Sequence, residues 1–225
     1  MHEKILLNNM MGPNCNILLE ELIYRYPISK NARILDLGCG RGLSTLFLME
    51  QFPTSKIFSV DLWTSPSENA RRFELWGIDE NAIPMQLDAN RLPFANEYFD
   101  LIVSIDAYQY FGRKKKYFEN KLKPLLKNQG LALFAIPGLK NDVVEEDLKK
   151  LWKWAGDEIE FFKTCKWWKD NFCMHKSYIW EMESFESAWQ SWFSTEKEVA
   201  KRDADLLKGV RNRCMNFIGV AVENT

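Results

Sequence analysis

The first half of the chain alternates short apolar runs with segments whose apolar positions recur at helical spacing. The apolar runs predict five β-strands, at residues 33–37, 56–61, 82–88, 99–106 and 131–136. The amphipathic segments predict four helices, at residues 14–26, 43–52, 65–76 and 113–126. Pro27 is expected to end the first helix and Gly77 the third. Strands that alternate with helices predict a parallel sheet covered on both faces, which is a doubly wound α/β fold.

The pattern changes after Gly138. Seven of the nine tryptophans lie between Trp152 and Trp192. This half of the chain predicts helices at 142–155, 163–172 and 186–209 and strands at 178–182 and 216–222. No linker rich in glycine, proline or serine interrupts the sequence. We therefore expect one domain, over residues 1–225, with a helical, tryptophan-rich C-terminal elaboration.

Charge and hydropathy argue against nucleic-acid and membrane partners. The 30 Lys and Arg residues nearly balance 31 Asp and Glu residues, which gives a formal net charge of −1. A long phosphate backbone requires a cationic face, so nucleic acid is not an expected partner. No apolar run approaches the ~18 residues that cross a bilayer, and the N-terminus lacks the apolar stretch of a signal peptide. We therefore expect a cytoplasmic protein with no membrane partner.

The cysteine and histidine content argues against a disulfide framework and against a metal site. The cysteines are odd in number and form no C-x-x-C pair; they are Cys15, Cys39, Cys165, Cys173 and Cys214. The chain has only two histidines, His2 and His175. We expect five thiols in a reducing compartment and no bound metal.

Aspartates stand at or near the ends of four predicted strands. Asp61, Asp88 and Asp106 end the second, third and fourth strands, and Asp36 lies near the end of the first. Right-handed crossovers bring the carboxyl ends of parallel strands to one edge of the sheet, where ligands bind. The sequence therefore predicts a ligand site at this edge.

A glycine-rich turn follows the first strand, in the sequence ILDLGCGRGLST at residues 34–45. Gly38, Gly40 and Gly42 allow a sharp turn and a close approach of the ligand to the backbone. The next helix begins here and presents free N–H groups to that ligand. A dinucleotide also suits such a turn, but the Asp36 carboxylate would repel a pyrophosphate and attract an ammonium group.

The spacing of the next two acids favours an adenosine at the other end of the ligand. Asp61 stands nineteen residues after Gly42, a position that suits accepting both ribose hydroxyls. Asp88, which is followed by Ala89, is placed to accept from an adenine amino group. A ligand with an amino acid at one end and adenosine at the other is S-adenosylmethionine, the predicted cofactor.

With these motifs the chain resembles the class I S-adenosylmethionine-dependent methyltransferases, from about residue 33 to residue 136 and onward to the final strand. DLGCGRG is similar to the first motif of that family, and VDLW, LDANRLPF and FDLIVSID follow in the order and spacing of its later motifs. MMGPN and DAYQYFG are similar to a group of bacterial small-molecule methyltransferases. The resemblance implies a Rossmann-like, mostly parallel sheet of seven strands with the last antiparallel. It also implies methyl transfer to a small-molecule acceptor, whose identity the sequence does not give.

The resemblance implies roles for five residues around the methionine part of the cofactor. Asp36 would contact the amino group, directly or through water. Gly38, Cys39 and Gly40 would line the methionine moiety. Asp106 would border the sulfonium and the acceptor.

It implies roles for five more residues around the adenosine. Asp61 would hold the ribose. Leu62 and Trp63 would pack on the adenine, with ordinary core packing as the alternative for this pair. Asp88 would bind the adenine amino group, and Ala89 would bind a ring nitrogen through its backbone.

A general base is needed only if the acceptor loses a proton. The candidates are Asp106, Tyr108, Tyr110 and His175, of which Asp106 is best placed. Tyr108 is expected to shape the methyl pocket, and His175 is a candidate base in the aromatic C-terminal half. The alternatives are a turn role for Asp106, packing at the sheet edge for Tyr108, and an ordinary surface or core position for His175.

The tryptophan-rich half suggests a lid. Trp167, Trp168 and Tyr178 are expected to close over the substrate or to surround a cation, with burial of the added helices as the alternative. Met10 and Met11 are expected to cover the cofactor, as the corresponding region does in related enzymes. The expected division is a cap helix at 1–30, a cofactor-binding core at 31–138, a substrate-side lid with helices at 139–215 and a final strand at 216–225.

Three other functions compete with small-molecule methylation. The first is a sensor that binds the cofactor without turnover. The second is a nucleic-acid methyltransferase, but the Asn/Asp/Ser-Pro-Pro-aromatic motif for base amines is replaced here by DAYQ at residues 106–109. The third is a dinucleotide oxidoreductase, which Asp36 disfavours.

Overall fold

The computed structural model describes residues 2–26 and 28–225. Within these residues, eight strands form one sheet: β1 (Arg33–Leu37), β2 (Lys56–Asp61), β3 (Ala82–Gln86), β4 (Phe99–Ile105), β5 (Leu126–Leu139), β6 (Lys163–Thr164), β7 (Lys176–Glu181) and β8 (Met215–Glu223). The order across the sheet is β3-β2-β1-β4-β5-β8-β7, and β6 pairs with the end of β5.

The strand directions confirm the predicted α/β fold. Strands β1 to β5 run parallel to one another, whereas β8 is antiparallel to both β5 and β7. Seven of the strands correspond to the predicted seven, and the last is the antiparallel one. The two-residue strand β6 was not predicted. Because β1 to β4 are parallel, the loops after them meet at one edge of the sheet.

Helices flank the sheet: α1 (His2–Asn9), α2 (Cys15–Arg25), α3 (Leu43–Gln51), α4 (Pro66–Trp76), α5 (Tyr108–Phe111), α6 (Glu145–Ala155), α7 (Cys165–Asn171), α8 (Phe185–Phe193), α9 (Glu198–Leu207) and α10 (Arg211–Cys214). Asn14 is the N-cap of helix α2, and its side chain accepts from the backbone N–H of Asn16; the last residue of the helix is Arg25. Pro27, which was predicted to end this helix, lies outside the described residues. No helix in the described part of the chain is long and apolar enough to cross a membrane.

Helix α4 has the predicted bounds. Ser65 is its N-cap, Pro66 occupies its first turn, and Gly77 follows it with φ at 70°. The Ser65 hydroxyl makes no capping hydrogen bond, so its backbone carbonyl alone accepts from the Glu68 and Asn69 N–H groups.

Two predicted helices are wrong. The segment 186–209 is two helices, α8 and α9, because the chain turns between them at Glu196, where φ is 54°. In the predicted helix 113–126, residues 113–116 form a turn. A short π-helix (Phe118–Leu122) and a short 3-10 helix (Lys123–Leu125) follow before β5. Lys116, whose φ of 58° lies in the left-handed region, interrupts the predicted helix, and Pro124, which lacks an N–H, stands in the short 3-10 helix before β5.

Both faces of the sheet are buried, as the apolar runs require. Along β1 and β4, alternate side chains enter opposite core clusters, with Ile34 and Leu101 in one and Leu35 and Ile102 in the other. The first cluster contains α2, α3 and α8, and the second contains the aromatic rings of α5 and α7. The edge formed by the carboxyl ends of the strands stays partly open between these layers.

Candidate active site

The glycine turn between β1 and α3 has a backbone that only glycine adopts without strain. Gly38, Gly40 and Gly42 have φ values of 83°, 51° and 84°. A Cβ on Gly38 would lie 2.3 Å from Cβ of Ala107, which follows β4. The turn therefore packs directly against the next loop of the site, with no room for a side chain at Gly38.

Asp36 lies behind this turn. Its carboxylate is buried and accepts hydrogen bonds from the hydroxyls of Ser44 and Thr45, each at 2.7 Å. Burial raises the pKa of Asp36 to about 6, against the lowering effect of these two hydrogen bonds. The side chain ties β1 to the start of α3, and it lines none of the three cavities described below. Its contact with a ligand amino group stays a prediction.

Asp61, at the end of β2, holds two loops. One carboxylate oxygen accepts from the Gly40 N–H at 3.0 Å, and the other accepts from the N–H groups of Trp63 and Thr64, each at 2.8 Å. These bonds fix the carboxylate at the surface of the cleft beside the glycine turn.

Asp88 and Ala89 lie after β3 at the same edge. The Asp88 carboxylate accepts from the backbone N–H and the side-chain amide of Asn90, at 2.8 and 2.7 Å. These hydrogen bonds hold the pKa of Asp88 below its ordinary value. The carbonyl of Ala89 accepts from the Tyr117 hydroxyl at 2.7 Å, which fixes the loop from below.

Three adjoining cavities follow this edge. The Asp88 cavity, of about 300 Å³, is lined by Asp61, Leu62, Trp63, Asp88, Ala89 and Tyr110. The glycine cavity, of about 270 Å³, is lined by Met10, Met11, Gly38, Cys39, Gly40 and Asp106. The aromatic cavity, of about 200 Å³, is lined by Asp106, Gln109, Tyr110, Trp154, Glu158 and Trp189.

Shared residues join the cavities into one row. Asp61 and Trp63 line both the Asp88 cavity and the glycine cavity. Asp106 lines both the glycine cavity and the aromatic cavity, and Tyr110 lines all three. Leu62 and Trp63 are 48% and 73% exposed, so core packing does not explain this pair.

Asp106 stands at the junction of the second and third cavities. Its backbone has φ at 54°, a left-handed conformation that is uncommon for residues other than glycine and suits a sharp turn at the end of β4. The Gln109 side-chain amide donates to its carbonyl and carboxylate oxygens at 3.1 and 3.3 Å. Burial raises the pKa of Asp106 to about 7. A carboxyl group with that pKa changes its protonation state near neutral pH.

Tyr108 does not reach the cavities. Its ring is fully buried in the second core cluster, stacked on Phe134 with centroids 4.1 Å apart. The prediction that Tyr108 shapes a methyl pocket is therefore wrong, and packing at the sheet is its role. Tyr110, two residues later, turns to the site, and its hydroxyl lies 3.1 Å from Glu158.

His175 lies at the opposite edge of the sheet. It immediately precedes β7, whose first residue pairs with Glu223 of β8. Glu223 also pairs with Leu131, in the amino-terminal half of β5. Strand β7 therefore runs parallel to β5, and its first residue lies at the edge formed by the amino ends of the strands. The His175 Nε2 lies 3.4 Å from Glu119, and its ring packs on Phe118. His175 is far from the carboxyl edge, so the prediction of His175 as a base is wrong.

The predicted tryptophan lid is also misplaced. Trp168 is fully buried, Trp167 packs against the second core cluster, and Tyr178 stands exposed on β7. None of these three lines the row of cavities. Trp154 and Trp189 line the aromatic cavity instead. Met10 and Met11 line the glycine cavity, and their role in covering the cofactor stays a prediction.

The described residues show no cluster of His, Cys, Asp and Glu that is arranged to hold a metal ion. All five cysteines are free thiols. Burial raises the pKa of Cys39, in the glycine turn, well above its ordinary value, which keeps this thiol protonated.

Residues 34–130 match a family model described as "Methyltransferase domain". This stretch, which is less than half of the chain, is similar to that family. It contains the glycine turn, Asp61, Asp88 and Asp106, so the row of cavities is built largely from the matched residues and completed by the segments on either side.

A curated relative is similar to about half of this chain. A malonyl-[acyl-carrier protein] O-methyltransferase of Geobacter sulfurreducens is 33% identical over 107 residues, which cover 48% of this chain and 39% of the relative. The chain thus spans about two fifths of the length of that relative.

The solved structures show the same fold at low sequence identity. A Haemonchus contortus phosphoethanolamine N-methyltransferase 2 in complex with S-adenosyl-L-methionine has a TM-score of 0.76 at 19% identity, over 96% of this chain and 54% of that one. A geranyl diphosphate C-methyltransferase of Streptomyces coelicolor in complex with S-adenosyl-L-homocysteine has a TM-score of 0.69 at 12% identity, over 100% of this chain and 78% of that one.

Proposed function

We propose that this chain is an S-adenosylmethionine-dependent methyltransferase that methylates a small-molecule acceptor. The observation that carries the proposal is the row of three cavities, in which Asp61 and Asp106 mark the two junctions. A ligand with adenosine at one end and an amino acid at the other matches the first two cavities. The third cavity adjoins the second at the point where the sulfonium would lie.

The residues of the first two cavities fit this cofactor. The Asp61 carboxylate faces the boundary of the two cavities, where the ribose hydroxyls would donate to it. Exposed Leu62 and Trp63 would cover the adenine, and Asp88 and the Ala89 backbone would bind its polar edge.

The methionine moiety would lie along Gly38, Cys39 and Gly40, which line the glycine cavity. Asp36, which lies behind the turn, would contact the amino group directly or through water. The match of residues 34–130 to the methyltransferase family supports the same cofactor.

The bound cofactor supplies an activated methyl group on a sulfonium. The protein must then align the acceptor atom with that methyl group and exclude water, since good alignment removes much of the barrier. Asp106 is the group placed to accept a proton from an acceptor in the aromatic cavity. Tyr110, which lines all three cavities, would position the acceptor against the cofactor.

We also propose a division of labour along the chain. Residues 1–30 would cap the cofactor, residues 31–138 would bind it, residues 139–215 would form the acceptor side, and residues 216–225 would complete the sheet. Met11 in the first segment and Trp154 in the third support this division, since they line the glycine and aromatic cavities. Five free thiols favour a reducing compartment, which supports a cytoplasmic location.

A labelled-methyl screen tests the proposal. The protein is incubated with S-adenosylmethionine labelled in the methyl group and with a pool of cellular small molecules, and labelled products are separated by mass. We expect label in at least one small molecule, in stoichiometric amount with S-adenosylhomocysteine, and none with a Gly38→Val variant. Cofactor binding without any label transfer would favour the sensor alternative.

A further inference from the structure

The aromatic cavity has an unusual combination of walls. It is closed by the N-terminal segment, α6, α8 and the start of β8, and its aromatic lining includes Trp154, Phe162, Phe185 and Trp189. An engineered cavity of ~150 Å³ holds benzene, so about 200 Å³ suits a compact acceptor with an apolar body. The methyl acceptor is therefore a small molecule that presents carbon to aromatic rings.

The charges of this cavity all have one sign. Asp106, Glu158 and Asp203 contribute carboxylates, and within the described chain no Lys, Arg or His lines the cavity. Arg202 lies 3.8 Å from Asp203 but does not line the cavity, so an anionic acceptor would face carboxylates with no cation among the described lining residues. The lining thus selects against carboxylate and phosphate acceptors.

The three carboxylates differ in how far the protein satisfies them. Asp203 accepts from the indole N–H groups of Trp154 and Trp192, each at 3.0 Å, and Glu158 accepts from the Tyr110 hydroxyl. The Asp106 carboxylate accepts a side-chain hydrogen bond only from the Gln109 amide. Among the described residues, no Lys, Arg or His side chain lies within ion-pair distance of it. A ligand cation would supply the ion-pair partner that Asp106 lacks.

Two buried polar atoms in the lining have no protein partner. Gln109 is 1% exposed and its Oε1 accepts from no group in the described chain. Trp189 is 2% exposed and its Nε1 is equally without an acceptor there. An unpartnered buried acceptor costs free energy unless a ligand or water supplies a donor. Gln109 Oε1, beside Asp106, matches an N–H of the acceptor.

The aromatic walls add attraction for positive charge. Trp154 packs edge-on against Trp189 and Phe162, with centroids 5.8 and 6.0 Å apart. Arg211, which is outside the lining, already contacts Trp189 from 5.7 Å, whereas no cation of the described residues lies over Trp154. The Trp154 ring is therefore available to a ligand cation.

We propose that the aromatic cavity binds an amine as the methyl acceptor, entering as its ammonium form, so that this protein is an N-methyltransferase of small cationic amines. This proposal rests on the function proposed above. The ammonium gives one proton to the Asp106 carboxylate. The nitrogen lone pair then forms a bond to the methyl carbon as the carbon–sulfur bond breaks, with its electron pair staying on sulfur. The products are the methylated ammonium, neutral S-adenosylhomocysteine and protonated Asp106, which returns its proton to solvent.

Three probes of one shape and different charge test the cavity by calorimetry in the S-adenosylhomocysteine complex, which lacks the sulfonium charge. They are choline, its neutral analogue 3,3-dimethyl-1-butanol, and the anion 3,3-dimethylbutanoate. We expect choline to bind at least tenfold more tightly than the neutral analogue, and the anion not to bind. Equal affinities, or a preference for the anion, would overturn the amine proposal.

A pair of variants ties this preference to the cavity. Trp154→Leu should lose most of the choline preference, whereas Trp154→Phe, which removes the same hydrogen bond to Asp203 but keeps a ring, should retain most of it. Equal choline binding in both variants would contradict the role of the aromatic wall. Binding of S-adenosylhomocysteine itself is measured first in each protein, so a failure of the cofactor proposal is seen separately from a failure of the amine proposal.

Discussion

The carboxylate of Asp61 accepts a hydrogen bond from the backbone N–H of Gly40 at 3.0 Å, so the end of β2 is tied directly to the glycine turn after β1. Its second oxygen binds the loop that carries Trp63. One side chain thus shapes the boundary between the Asp88 cavity and the glycine cavity. A ribose at this boundary would add its hydroxyl donors to the same carboxylate.

Replacing Asp61 should weaken the cofactor. We expect Asp61→Ala to lower S-adenosylmethionine affinity by about 1.5–3 kcal/mol, the scale of a hydrogen bond to a charged group. Titration calorimetry measures the change. Asp79→Ala, which removes an exposed acid after α4, is the matched control and should leave the affinity unaltered. Equal affinities in the two variants would remove Asp61 from the cofactor site.

Gly38 and Gly77 have similar backbone conformations, so their alanine variants distinguish backbone strain from side-chain crowding. A Cβ on Gly38 would lie 2.3 Å from the Ala107 side chain, whereas a Cβ on Gly77 would meet nothing within 4 Å. Both have positive φ, at 83° and 70°. We expect Gly77→Ala to destabilise the fold by about 1 kcal/mol and Gly38→Ala by about 2–4 kcal/mol, because overpacking adds to the backbone cost. Urea unfolding gives both values, and similar losses would show that the turn is not crowded.

Asp106 should control turnover through its ionisation. Its pKa of about 7 means that the carboxylate form increases as pH rises through 7, so kcat/KM should rise over the same range. We expect Asp106→Asn to lower kcat about 100-fold with a much smaller change in cofactor affinity, and to abolish this rise. A variant that keeps the parent's pH profile would exclude Asp106 as the base.

The same carboxyl group should lower the stability of the fold at alkaline pH. Its pKa is raised from 3.8 to about 7 in the folded state, so between these values the folded protein holds a proton that the unfolded chain has lost. Stability therefore falls as pH rises through this window. Asparagine carries no charge and tolerates the positive φ of this position. We expect Asp106→Asn to be more stable than the parent by about 1–3 kcal/mol at pH 8, with little difference at pH 4. A larger gain at pH 4 than at pH 8 would contradict the assignment.

The two tyrosines of α5 should respond in opposite ways. The Tyr108 hydroxyl is buried without a partner, so Tyr108→Phe should keep turnover and raise stability by up to about 1 kcal/mol. Tyr110 lines all three cavities, so Tyr110→Ala should reduce kcat/KM about tenfold or more. Thermal unfolding and steady-state kinetics measure the pair. A loss of turnover in Tyr108→Phe would show that the buried ring serves the site.

The sequence alone predicts those parts of the site that depend on strand ends. Asp61, Asp88 and the glycine turn follow strands whose apolar runs are unambiguous, and parallel strands bring their carboxyl ends together wherever the helices lie. This is why the α/β fold and the site edge could be predicted from the residues, whereas the antiparallel last strand was predicted from the resemblance to the methyltransferase family.

The missed parts depend on rotations that local patterns do not fix. Tyr108 and Tyr110 are two residues apart, and the turn at Asp106 decides which ring faces the core and which faces the cavities. Trp154 and Trp168 both belong to amphipathic helices, so periodicity shows that each has a buried face but not what that face contacts. His175 required the direction of β7, which the sequence leaves open.

Titration calorimetry with S-adenosylhomocysteine and, separately, with NAD tests the central claim most directly. We expect micromolar binding of S-adenosylhomocysteine with one site per chain and no detectable binding of NAD. Binding of NAD without S-adenosylhomocysteine would contradict it.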